Sequence, residues 1–302
     1  MTTLDSIYLK PGPLTSAGKH QELLGTLPRE LPALTRAIQG LQIHEYMLGN
    51  YGVSVPEPRK NESHLRRLDH MLGAIHARDP RPLDVAREPA DRAIGVCRHF
   101  TVLLIAALRA HRIPARARVG FASFFNPPQY EDHWVGEYWN ASEKRWILVD
   151  AQLDALQREA MKVDFDPLDV PRDRFVVAHD AWTRSRRGEI DDKRFGFSPV
   201  HLTGAWFILG DLIRDAAALN GVEMLPWDVW GGMTKPNVGL TPDELAFGDR
   251  LARLTAAPEE HAKELRSLYN SDARIKPGAS VWNDRTQTND EVDSAPAGVP
   301  IG

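Results

Sequence analysis

One cysteine, Cys97, is all the sulfur chemistry that 302 residues offer beyond methionine. A single thiol excludes an internal disulfide framework and any zinc site built from several thiolates. An excess of charge of one sign is also lacking. A net −4 gives no basic footprint for nucleic acid or for an anionic membrane. No apolar run approaches the roughly 20 residues of a membrane span. The opening MTTLDSIYLKPGPLTSAGKH lacks the basic-then-apolar order of a secretory signal. No acidic loop has calcium-ligand spacing, and no segment repeats. These absences predict a cytoplasmic chain with no nucleic-acid or membrane partner, no metal and no organic cofactor; they leave the oligomeric state open. What is present, 42% hydrophobic and 26% charged residues, suffices for a sizeable core.

Punctuation by Pro and Gly divides the chain into an extended segment (1–26), N-terminal helices (27–90), a core (91–155), a helical and loop extension (156–275) and a disordered polar tail (276–302). Apolar residues at helical spacing predict helices over Leu27–Leu48 and within NESHLRRLDHMLGAIHAR, the latter capped by Asn61 or Ser63. A third helix runs from near Val96 to His111, apolar on every face and closed by Pro114. Then the period changes to two: ARARVGFASFF, DHWVGEYWN and KRWILVDAQ read as consecutive strands. Further helices are expected at His201–Leu219, Asp243–Leu254 and Glu259–Tyr269.

Cys97 heads the buried helix. A lone cysteine is ordinarily a small buried hydrophobe. At a helix start beside an imidazolium, however, a thiol whose pKa is ordinarily about 8.5 becomes a thiolate nucleophile. The strands supply candidates for that imidazole and its orienting acid. A four-residue loop at Asn140–Glu143 sets Trp139 opposite Lys144, Glu137 opposite Trp146, Val135 opposite Leu148 and His133 opposite Asp150. His133 is then the base and Asp150 the group that orients it. The Cys97 backbone N–H, unpaired in the first helical turn, is one oxyanion donor. Asp132 points to the opposite face from His133 and reads as a solvated strand residue. His99 lies about 200° round the helix from Cys97, which excludes it as the thiol's partner. His64, His70 and His76 do not hold one helical face, so they do not predict a metal site. Arg116 and Arg118 read as salt-bridged or solvated, and Trp227 and Trp230 as a loop clamp.

GVCRHFTVLLIAALRAHRIPARARVGF, followed by DHWVGEYW and RWILVDAQ, resembles the core of the transglutaminase-like superfamily of cysteine enzymes, over about Arg92 to Leu153. The resemblance implies an α+β fold, a central buried helix packed on an antiparallel sheet as in cysteine proteinases, here with helical additions at both ends. It also implies Cys97, His133 and Asp150 as catalytic residues, acting on a peptide, protein or small amide or ester through a thioester, by hydrolysis or by transfer to an amine. The contrasting expectation is an inactive member of the fold that serves as a binding or scaffold module. Many members read His-Ala-Trp and Asp-Pro, where this chain has His133-Trp134 and Asp150-Ala151. Papain-like relatives often carry an amide or aromatic oxyanion donor upstream of the cysteine. DVAREPADRAIGV contains none, which leaves Trp134 as the candidate second donor.

Overall fold

The computed structural model describes residues 7–234, 236 and 238–301. In chain order the regular elements are α1 (Gln21–Leu24), α2 (Leu31–Leu41), β1 (Gln42–His44), α3 (Glu57–Lys60), α4 (Leu68–Arg78), β2 (Ala93–Gly95), α5 (Cys97–Ala110), β3 (Ala115–Ala122), β4 (Tyr130–Asn140), β5 (Arg145–Val149) and α6 (Ala155–Ala160). They continue with β6 (Phe175–Val177), α7 (Ala178–Arg186), β7 (Phe195–Phe197), β8 (Leu202–Thr203), α8 (Ala205–Leu219), β9 (Asp228–Val229), α9 (Pro242–Ala256), α10 (Ala262–Ser271), β10 (Ser280–Asn283) and β11 (Thr288–Glu291). The architecture is α+β. Among the described residues, no helix is long and apolar enough to cross a membrane.

The chain divides into two compact units, each discontinuous in sequence. Unit 1 comprises 1–117, 135–170 and 293–302; unit 2 comprises 118–134 and 171–292. The long strands β3 and β4 are neighbours and contribute residues to both.

In unit 1, α2 buries Leu34, Ala37, Ile38 and Leu41, a stripe at three- and four-residue intervals. The helix predicted to run on to Leu48 stops at Leu41, because Gln42–His44 pair in parallel with Ala93–Gly95. Apolar spacing alone does not reveal a strand partner fifty residues away. Helix α4 begins at Leu68 rather than at Asn61 or Ser63, and residues 61–64 form a separate 3-10 turn. Its Glu62 accepts from the Ile94 N–H at 2.9 Å and so ties the turn to β2. Helix α5 is buried along all but its last residue. It packs closely on β4: a Cβ at Gly136 would lie 2.7 Å from Leu104 Cδ2. Unit 1 also holds the last described residues. A Cβ at Gly73 of α4 would lie 2.0 Å from the Ile301 carbonyl oxygen.

In unit 2, β6 pairs antiparallel with β3 through Gly120–Val177 to Ala122–Phe175. β7 pairs in parallel with β4 through Tyr130–Phe195, and antiparallel with β8. The sheet is therefore mixed rather than wholly antiparallel. β7 follows β4 after a long excursion, and only a crossover of that kind permits parallel pairing. Helices α7, α8 and α9 pack together. Thr241 and Glu244 form a reciprocal cap at the start of α9, with Pro242 in its first turn. The tail expected to be disordered contains the β10–β11 hairpin, and β10 also pairs with β9. Its polar residues build the turn: Asn283 Oδ1 accepts from the N–H groups of Arg285 and Thr286 at 3.0 and 3.2 Å. Composition reads such a stretch as solvated, whereas here the asparagine is buried and its side chain is satisfied within the hairpin.

Candidate active site

Cys97 is the first residue of α5 and is 6% exposed. The chain enters the helix through Gly95, where a Cβ would lie 2.8 Å from His99 Cβ, so the close approach requires glycine. The Val96 N–H donates to His99 Nδ1 at 3.2 Å, and the His99 N–H donates to the Val96 carbonyl at 2.8 Å. His99 is thus a lock on the helix start. Burial holds its imidazole well below the usual pKa, with the Arg98 charge acting in the same direction, so it is neutral. Arg98 is itself buried and donates to the carbonyls of Leu65, at 3.3 Å, and Arg66. Two residues of the first turn, Arg98 and His99, therefore tie down the helix start that carries Cys97.

Asp150, also in unit 1, follows the last residue of β5 and is buried. Its N–H donates to the Pro167 carbonyl at 2.8 Å, and its Oδ1 accepts from the Gln152 N–H at 3.0 Å. The β4–β5 register corrects the predicted pairing. Trp139 stands opposite Trp146, Glu137 opposite Leu148 and Gly136 opposite Val149. Continuing by one residue sets Val135, not His133, opposite Asp150. His133 stands on the same face of β4 as Val135, two residues before it. The cause is the turn. Asn140 Oδ1 accepts from the N–H groups of Ser142 and Glu143 at 3.0 and 3.3 Å, and Lys144 takes a left-handed φ of 54°. The loop therefore occupies 141–144, one residue later than expected. The signal was legible, since Asn opening NASEK is the residue that makes such a side-chain turn.

His133 and Trp134 fall in unit 2. His133 is buried and meets the rings of Phe124, Phe125 and Phe175 edge-on, with centroids at 6.2, 4.8 and 6.1 Å. These apolar walls hold the imidazole in one plane. The Trp134 indole N–H is buried without a hydrogen-bond acceptor. An unmet donor of that kind is costly.

Asp132 departs from its predicted role as a solvated residue. Its Oδ1 is inaccessible and unpartnered, and burial pushes its carboxyl up to about 6 against the opposing pull of Arg214 and His133. The carboxyl of Asp211, fully buried on α8, is likewise held well above its usual range by burial and by Asp132, although Arg214 donates to its Oδ1 at 3.2 Å. The expectation for Arg116 and Arg118 holds: both are salt-bridged and buried.

A thiol at the head of a buried helix, with a histidine on β4 and an aspartate just after β5, is the order of motifs that the transglutaminase-like resemblance led one to expect. Residues 42–151, a little over a third of the chain, match the family model of the transglutaminase-like superfamily, and Cys97, His133 and Asp150 all lie within the match. Among solved structures, a "Putative Cysteine Protease" from Cytophaga hutchinsonii aligns at 20% identity with a TM-score of 0.32, covering 59% of this chain and 46% of that one. The chain thus spans less than half the length of that protein, and likeness at this level carries no argument about activity. No curated protein matches the sequence.

Proposed function

We propose that the protein is a cysteine-nucleophile enzyme that acts on an amide or ester carbonyl through a thioester. Cys97 Sγ attacks the carbonyl carbon, and the oxygen takes the negative charge as the tetrahedral intermediate forms. The Cys97 N–H and the Trp134 indole N–H are the proposed donors to that oxygen. His133, having taken the thiol proton, gives it to the leaving amine or alkoxide as the C–N or C–O bond breaks. Asp150 orients the imidazole and stabilises its cation. Water or an amine, deprotonated by His133, then attacks the thioester and returns the thiol, giving an acid or a new amide. A reducing compartment such as the cytoplasm would keep the thiol available.

The observation that supports this reading most is that the chain's one thiol opens a buried helix inside the transglutaminase-like match. Iodoacetamide alkylation of Cys97 against pH tests it. A thiolate paired with an imidazolium reacts well below pH 7, whereas a profile that rises only above pH 8 supports an inactive binding or scaffold module. The Cys97→Ala variant is expected to lose all labelling and all turnover while it retains its fold.

A further inference from the structure

A ladder of side-chain hydrogen bonds leads away from Asp150 within unit 1, and its directions are forced. Tyr51 donates its hydroxyl proton to Asp154 Oδ2 at 2.7 Å. Burial, together with that hydrogen bond, raises the phenol above its usual range, so it stays protonated. With its single proton committed, the Tyr51 oxygen is left to accept, and it does so from Gln157 Nε2 at 3.0 Å. That contact fixes the Gln157 amide, whose Oε1 must then face Gln152 and accept from its Nε2 at 2.9 Å. Asp154 closes the loop by accepting from the Gln157 N–H at 2.9 Å and donating its own N–H to the Gln152 carbonyl at 2.9 Å. Gln152 and Gln157 are both buried, so neither amide has water as an easy substitute.

What the ladder holds is the backbone of Gln152, whose N–H donates to Asp150 Oδ1. Gln152 Oε1 is buried without a partner, which makes the amide dependent on its one bond to Gln157 for its orientation. We infer that Gln152, clamped by Gln157 and Tyr51, is a positioning residue for Asp150, committing one carboxylate oxygen to the main chain so that the carboxylate presents in a single orientation. This inference rests on the proposed role of Asp150 as the group that steers the base.

The readout is the pH midpoint of Cys97 alkylation by iodoacetamide in the full chain, alongside the thermal midpoint. Asp150→Asn is expected to raise the alkylation midpoint by about 1 unit, because the imidazolium that stabilises the thiolate loses its counter-charge. Tyr51→Phe, which releases the Gln157 amide, and Gln157→Leu, which removes it, are expected to raise the midpoint by a few tenths of a unit in the same direction. A lowered thermal midpoint with an unmoved alkylation midpoint in these two variants overturns the inference and leaves the role of Asp150 standing. An unmoved midpoint in Asp150→Asn overturns that role and the inference with it. Should Gln157→Leu fail to fold, Tyr51→Phe decides alone, since it deletes a single oxygen from a half-buried ring.

Discussion

Arg116 and Arg118 stand two residues apart on one face of β3, yet they anchor different units in different ways. Arg116, in unit 1, donates through Nε to Glu137 Oε2 at 2.6 Å, and its guanidinium lies 3.9 Å from the centroid of Trp146 and 5.2 Å from that of Tyr8. Arg118, in unit 2, grips Asp215 of α8 with two bonds of 3.0 and 2.9 Å, and reaches the Thr255 carbonyl at 3.1 Å. Asp215 Oδ1 also accepts from the Val119 N–H at 2.9 Å. One arginine meets its carboxylate beside two aromatic rings, and the other forks onto a carboxylate and reaches a main-chain carbonyl. Four residues before Asp215, Asp211 is buried as deeply but has one oxygen unmet and Asp132 for company. Buried charge therefore takes three forms here: an arginine forked on a carboxylate, an arginine stacked on aromatic rings beside its carboxylate, and a carboxylate with an unmet oxygen.

The forked pair should be the hardest to break. Arg118→Met leaves Asp215 uncompensated in the interior, and the expected loss is about 3–5 kcal/mol in urea unfolding. Glu137→Gln should cost less, about 1–2 kcal/mol, because the Arg116 guanidinium keeps its two aromatic faces. An equal cost for the two would erase the distinction. Asp132→Asn should have the opposite sign. In the folded chain Asp132 titrates near 6, above its unfolded value near 3.8, so the folded state binds the extra proton between those values. Its contribution to stability is full at low pH and is lost as pH rises to about 6. The amide removes that loss, so at pH 7 the variant should be more stable by about 1–2 kcal/mol, with a flatter stability profile between pH 4 and 6. A destabilised variant at pH 7 would show that the ionised carboxylate is needed.

The parts of the site that depend on local pattern were legible in the sequence. The change from helical spacing to alternation at Pro114, with Gly95 and Cys97 ahead of the apolar run, located α5, β3, β4 and β5 to within a few residues. Register hinged on one side chain, the Asn140 amide that opens the turn. The prediction started the turn at Asn140, whereas Asn140 remains in the strand and spends its side chain on the turn, which sets Glu137 opposite Leu148 instead of Trp146. Long-range partners were invisible for a more general reason. Gln42–His44 continues a helical spacing and becomes a strand only because β2 is there to pair with it. Asp132 alternates outward on β4, and nothing in its neighbours announces that α8 carries a second carboxylate and an arginine that it feels. The Tyr51–Gln157–Gln152 ladder joins residues about a hundred positions apart, so no motif search would assemble it.

The threading of the chain bears on how the protein can be divided. Unit 1 is completed by its final residues, and β3 and β4 each begin in one unit and end in the other. A fragment trimmed to the family match at 42–151 would keep the thiol, the imidazole and the carboxylate, but it would lose β6 and β7 from the sheet and both flanks of unit 1. Gene dissection by homology boundaries would therefore cut through both units while leaving Cys97, His133 and Asp150 on the piece. A silent truncation is evidence about folding, not about chemistry.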